Sequence, residues 1–329
     1  MQAKFQELNN LLLKAENIVI AIHQNPDGDA LGSAAALAEY LSDKGKNFSI
    51  YCATAHPENF KFLSHVNAIT AEAAVLSLAN LIVVMDSGDL RYAGLDSRDG
   101  FRLLGRNDRK GGGNDNPKII NIDHHISNEQ FGFLNITDSQ ASATAQIVYD
   151  FFRSERVAIS PAMATALLTG LVCDTDNFTN GGTTPASLEA AGHLLRSGAN
   201  LPLVHRWVIK NSSLNLLKLW GIVLERLEKI EEKNLAYTYI TNEDYLRYGI
   251  TELGAEGIAN LLNKLGGVQI SLLIRETMDG KIKGSFRTTS DNTDVSALAK
   301  KLGGGGHAKA AGFTTEGTIE DVLNKILTM

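Results

Sequence analysis

Seven residues combine cation-binding side chains with positions at the ends of apolar runs. They are His23, Asp27 and Asp29 in His-Gln-Asn-Pro-Asp-Gly-Asp, Asp86 after Leu-Ile-Val-Val-Met, His124 and His125 after Asn-Ile-Asp, and Asp174 after Leu-Val-Cys. Imidazoles and carboxylates without thiolate suit Mn²⁺, Mg²⁺, Fe²⁺ or Co²⁺ better than a structural zinc. One shared carboxylate would let such a set hold two ions. Paired ions activate water and stabilise an in-line displacement at phosphorus, so the chemistry to expect is phosphoester hydrolysis. Without cations, this many carboxylates in one crevice would repel one another. Singly, each residue has a plainer reading: Asp27-Gly28-Asp29 as a turn, Asp174 as a helix-end cap. Their recurrence at separate element ends favours a shared site. His56, His65, His193 and His205 have no second ligand nearby in sequence and are taken as structural, while Asp89 and Asp138 are unassigned.

The elements that must position these residues follow from periodicity. Residues 4–16 predict an amphipathic helix through Phe5, Leu8, Leu11, Leu12 and Ala15. Ile18 to Ile22 predicts a parallel-sheet strand buried on both faces, ending at His23, and Ala30 to Leu41 an alanine-rich helix stopped near Gly45. That order places His23, Asp27 and Asp29 at the carboxyl end of a strand, where open α/β sheets bind ligands. Strands at 47–52, 81–85 and 118–122 deliver Asp86 and Asp123-His124-His125, and helices at 142–152 and 161–172 lead to Asp174. Residues 105–116 have neither period nor apolar content and predict a surface loop. In the second half, the spacing predicts a connecting helical region, then a charged helix or strand pair at 225–233 and a strand at 235–240. A helix around 257–265 and a hairpin turning at Met278-Asp279-Gly280 follow. Near the end, Leu-Gly-Gly-Gly-Gly-His-Ala-Lys-Ala-Ala-Gly reads as a glycine loop opening into a small-residue helix.

Composition limits the class. The 329 residues suggest two domains, and 44% hydrophobic with 21% charged residues describes a globular chain. A formal charge of -6 argues against coating long-duplex nucleic acid, so any nucleic acid handled should be short. Cys52 and Cys173 form no CxxC and suggest core thiols in a reducing compartment. No apolar window suggests a leader or a membrane span, and a cytoplasmic location is expected.

His23-Gln-Asn-Pro-Asp-Gly-Asp29, Val-Val-Met-Asp86, Asn-Ile-Asp123-His124-His125 and Thr-Gly-Leu-Val-Cys-Asp174-Thr together resemble the successive motifs of the DHH phosphoesterases. Gly-Gly-Gly-Gly-His307-Ala-Lys-Ala-Ala-Gly resembles the signature of the associated DHHA1 domain, and the overall pattern is similar to the branch of nanoRNases and pAp phosphatases. The resemblance implies an α/β chain: a DHH domain at 1–195 with a mainly parallel sheet flanked by helices, a helical linker at 196–219, and a smaller α/β DHHA1 domain at 220–329 across a cleft. It implies two divalent ions, Mn²⁺ foremost, with His23 and Asp27 on one, Asp29, His124 and Asp174 on the other, and Asp86 bridging. His125 would contact the scissile phosphate or assist the leaving group, and Asp123 would orient the histidine pair. Gly304, Gly305, Gly306, His307 and Arg287 would bind substrate phosphate. The implied substrates are short single-stranded RNA oligonucleotides and nucleotides such as pAp, with no membrane partner and a homodimer left open.

The fourth motif departs from its usual Asp-Thr-Gly, since Asp174-Thr175 is followed by Asp176, which could replace or supplement Asp174. Alternatives to weigh are hydrolysis of cyclic di-AMP or pApA, a pyrophosphatase or exopolyphosphatase-related activity, and a nucleotide sensor without catalysis.

Overall fold

A computed structural model of the chain describes residues 1–95, 117–209, 213–251, 257–263, 265–290 and 292–328. The loop expected at 105–116 lies outside the described residues. The chain divides into two compact units, Met1–Asn211 and Ser212–Met329.

The first unit runs α1 (Gln2–Lys14), β1 (Asn17–Ile22), α2 (Gly28–Asp43), β2 (Asn47–Tyr51), α3 (Ala74–Ser77), β3 (Leu81–Met85), β4 (Lys118–Asp123) and β5 (Leu134–Thr137). It continues with α4 (Thr144–Ser154), α5 (Pro161–Asp174), α6 (Pro185–Arg196) and α7 (Leu201–Val204). Among the described residues, its sheet has five strands, all parallel, in the order β2-β1-β3-β4-β5. Strands β1, β3 and β4 are rich in Ile and Val and almost wholly buried, because helices and loops cover both faces. From β1 the chain steps to β2 on one side and then to β3 on the other, a topological switch that opens a crevice at the strand ends. Ile22 pairs with Met85 and Met85 with Ile122, so His23, Asp86 and Asp123 leave or end adjacent strands at one level.

The second unit contains α8 (Leu214–Glu225), β6 (Glu228–Ile230), β7 (Leu235–Ile240), α9 (Asn242–Tyr248), α10 (Ile258–Leu262), β8 (Ile270–Glu276), β9 (Ile282–Arg287), α11 (Val295–Lys301), β10 (Gly305–His307), β11 (Ala310–Thr315) and α12 (Ile319–Thr328). Its mixed sheet has the order β10-β11-β9-β8-β7-β6, and only β7 and β8 pair in parallel. The expected hairpin at Met278-Asp279-Gly280 joins β8 to β9, with Gly280 at φ +80°. The charged stretch at 225–233 resolves into the end of α8, the short strand β6 and a single 3-10 turn at Glu231–Lys233, not a continuous helix.

Within 196–219, Val204 is buried in the core of the first unit and Leu219 in a core of the second. One expectation differs from the structure. The segment after the four glycines is not a helix but strand β11, paired along its length with β9. Its burial alternates, with Ala311 and Phe313 inward, and this sheet pairing overrides the helix preference of alanine. Among the described residues, no helix is long and apolar enough to cross a membrane.

Candidate active site

Proline and glycine turn the chain sharply after β1, and the carboxylate of Asp27 then caps α2, its Oδ1 accepting from the amides of Asp29 at 2.9 Å and Ala30 at 3.1 Å. The plain turn-forming role is therefore real. It also fixes the Asp27 carboxylate 3.8 Å from His23 Nε2. His23 Nδ1 lies 2.8 Å from the carbonyl of Gln24, which makes Nδ1 the protonated nitrogen and leaves Nε2 facing Asp86 Oδ2 at 3.5 Å. The His23 ring stacks on Tyr92, with centroids 4.8 Å apart.

Asp86 holds a left-handed backbone conformation, φ 56°, as it leaves β3. Its carboxylate is buried and spread between neighbours: Oδ2 toward His23, Oδ1 toward His124 Nε2 at 3.8 Å. His124 Nδ1 lies against the Ala141 carbonyl at 3.3 Å, and its Nε2 is 3.1 Å from Asp174 Oδ2. Asp174 is the last residue of α5, and Asp29, in the first turn of α2, is fully buried beside it. Three sets of donor atoms thus converge, each within 4.8 Å: His23–Asp27–Asp86, Asp29–His124–Asp174 and Asp86–His124–His125. A His and Asp cluster of this composition could bind a metal.

The electrostatics show how much negative charge is concentrated here. Burial alone would lower the His23 imidazole, but hydrogen bonding to Asp27 and Asp86 raises it to about 11. His124 rises to about 10 against the same burial, through Asp174, Asp29 and Asp86. Burial first, then repulsion from Asp86 and Asp174, pushes Asp29 well above the usual carboxylate range. Asp174 is raised by burial despite its contact with His124. These groups call for positive charge, as protons or as cations.

His125 is placed differently. Its Nδ1 is 2.7 Å from Asp123 Oδ1, which raises the imidazole and, with Asn128, holds the buried Asp123 carboxyl below its usual range despite desolvation. With Nδ1 on Asp123, the half-exposed ring keeps Nε2 for another partner. Asp123 therefore orients His125, while the Ala141 carbonyl holds His124. Asp176 is exposed and belongs to none of the three sets, so the structure places Asp174 and not Asp176 with the other residues.

The residues expected to bind substrate lie in the second unit. His307 pairs with Ala310, and Ala310 with Arg287, across β10, β11 and β9. Directly opposite residues of antiparallel strands project to the same face, so Arg287 and His307 flank the small Ala310 on one side of the sheet. Lys283 and Arg275, themselves paired in register, share that face. Arg275 Nε is buried without a hydrogen bond, and burial together with Arg275 lowers the Arg287 guanidinium. An anion would relieve that clustering of positive charge. Gly304 fits only as glycine, since a Cβ there would lie 2.0 Å from the Gly312 carbonyl oxygen, but its amide is committed to Ala299 O at 2.8 Å. Gly305 and Gly306 lie in β10.

Sequence reasoning missed Thr144, Asn128 and Arg275. Asn128 donates to Asp123 and to Asn121 Oδ1, locking the carboxylate that orients His125. Arg275 carried a signal, three residues before the hairpin turn at Met278-Asp279-Gly280 and in register with Lys283.

Residues 17–171 match the DHH family, N-terminal domain, and residues 222–329 match the DHHA1 domain. The chain is 32% identical over 302 residues to the bifunctional oligoribonuclease and PAP phosphatase NrnA of Thermus thermophilus, covering 91% of this chain and 84% of that one. It is 24% identical to the protein of the same name from Bacillus subtilis, covering 93% and 91%. In fold it is similar to an exopolyphosphatase-related protein from Bacteroides fragilis, with a TM-score of 0.88 at 24% identity, covering 100% of this chain and 95% of that one. The chain belongs to the DHH family of phosphoesterases and carries the DHHA1 domain.

Proposed function

We propose that this protein is a Mn²⁺-dependent phosphohydrolase that degrades very short RNA oligonucleotides to mononucleotides and dephosphorylates 3′,5′-bisphosphonucleosides such as pAp. The observation that carries the reading is the Asp86 carboxylate, whose two oxygens face the His23 and His124 groups separately. His23 and Asp27 would hold one ion, Asp29, His124 and Asp174 a second, and Asp86 both. When bound, such ions supply a water nucleophile at neutral pH and neutralise charge on the phosphoryl oxygens. His125, held through Nδ1 by Asp123, presents Nε2 to the scissile phosphate or to the leaving-group oxygen as a proton donor.

Arg287, His307 and Arg275 on one face of the second unit supply cationic and hydrogen-bonding groups for a second phosphate of the substrate. The relatives named oligoribonuclease and PAP phosphatase support a short nucleotide substrate. We place catalysis in a domain at 1–195 and substrate binding at 220–329, joined through 196–219, in a cytoplasmic enzyme. Exhaustive chelation should abolish hydrolysis of pAp and of dinucleotides, and added Mn²⁺ should restore it. Full activity in the chelated protein would remove the proposal.

A further inference from the structure

Thr144 is the first residue of α4 and is wholly buried. Its hydroxyl donates to Asp86 Oδ1 at 2.9 Å, and its amide donates to Asp29 Oδ2 at 2.6 Å. The next amide, of Ala145, donates to Asp29 Oδ1 at 2.9 Å. One helix start therefore grips two carboxylates, one from the first turn of α2 and one from the end of β3, through separable parts of the same residue. The Asp29 carboxylate is held by backbone on both oxygens. Asp86 is held through the side chain, because the Thr144 hydroxyl engages the oxygen that faces His124 while the other oxygen faces His23.

The last torsion of an aspartate is broad and roughly two-fold, so the side chain does not by itself keep one oxygen on each side. We propose that Thr144 is a positioning residue whose hydroxyl sets the carboxylate plane of Asp86, so that a single carboxylate serves both ligand groups. The inference rests on the reading above that Asp86 is shared by two cations. Accepting one hydrogen bond leaves Oδ1 a lone pair for a cation, so the contact orients the ligand without occupying it. Groups that hydrogen-bond a ligating carboxylate tune metal affinity in this way.

The two roles separate by substitution. Thr144→Val keeps the shape and both amides but removes the hydroxyl, and Thr144→Ser restores it. Titration calorimetry of the metal-free full chain with MnCl₂, alongside thermal melts, distinguishes orientation from a structural role. Wild type should take up two ions, Thr144→Val should bind them about 10–100-fold more weakly, and Thr144→Ser should remain within about threefold of wild type. Thr144→Ala, which presents no methyl branch to the carboxylate, carries the same expectation as Thr144→Val and serves if the valine variant does not fold. Wild-type affinity in the variants lacking the hydroxyl, with or without a lowered melting temperature, overturns the inference alone. A wild-type chain that takes up no Mn²⁺ overturns the reading beneath it as well.

Discussion

Asp86 keeps a left-handed φ of 56° although it is not glycine, at a cost of order 1–3 kcal/mol. Its amide donates to the Ile122 carbonyl at 2.9 Å, so the strained turn is tied to the neighbouring strand and aims the carboxylate into the crevice. Asp86→Ala should lower turnover by about 10²–10³ or more, with circular dichroism unchanged, because the cations that this carboxylate would hold are what stabilise the developing charge. Near-normal turnover would refute the shared-ligand scheme. Arg287→Ala should instead raise KM about tenfold or more through loss of a charge-assisted contact, with Mn²⁺ affinity unmoved. At this scale the grouping of His23, Asp27, Asp29, Asp86, His124, His125 and Asp174 was legible, since residues of these types follow apolar runs. What stayed hidden is long-range: Thr144 meets Asp29 across 115 residues and Asp86 across 58, and Ser-Ala-Thr-Ala offers no local signal of either contact. Asp174 and Asp176 could be separated only by where the turn after α5 sends each side chain.

The helices that carry Asp29 and Asp174 cross closely, and small residues permit it. A Cβ on Gly32 would lie 2.4 Å from the Ala166 carbonyl oxygen, an atom of helix backbone that cannot move alone. Gly32→Ala should therefore cost about 1–3 kcal/mol of stability, measured by denaturant unfolding, and should disturb Asp29 and Asp174 together. A neutral substitution would show that the helices separate freely. The strands and helices of the first unit were readable because buried parallel strands and alanine-rich helices leave clear periods. Strand β5 and helix α3 were not, since Leu-Asn-Ile-Thr and Ala-Val-Leu-Ser are too short for a pattern. The glycine stretch misled for a related reason: Ala-Lys-Ala-Ala has helical propensity, and only pairing with β9 makes it a strand.

At the scale of the whole molecule, the two units have separate cores, and the second has a partly buried ion pair of its own. Asp244 accepts from Arg226 Nη2 at 3.0 Å and from the Thr241 amide and hydroxyl at 2.9 Å. Burial pushes this carboxyl up, but Arg226 and Thr241 outweigh it and hold it below its usual range. A depressed carboxyl stabilises the fold above its unfolded pKa of about 4 and loses that contribution as pH falls through the folded value. Asp244→Asn should cost about 2 kcal/mol near neutral pH, and the deficit against wild type should shrink below about pH 4. A deficit independent of pH would show that the charge is not what matters.

The net charge of -6 and the small basic face at Arg275, Arg287 and His307 fit substrates with few phosphates. The central claim is tested most directly by one rate comparison in Mn²⁺. Initial rates should be measured for pAp, RNA of two to five nucleotides, longer RNA, cyclic di-AMP, pyrophosphate and polyphosphate. Hydrolysis concentrated on pAp and the shortest RNAs, lost in Asp86→Ala, is the result expected. Faster turnover of long RNA, cyclic di-AMP or polyphosphate, or rates unaffected by Asp86→Ala, would contradict it.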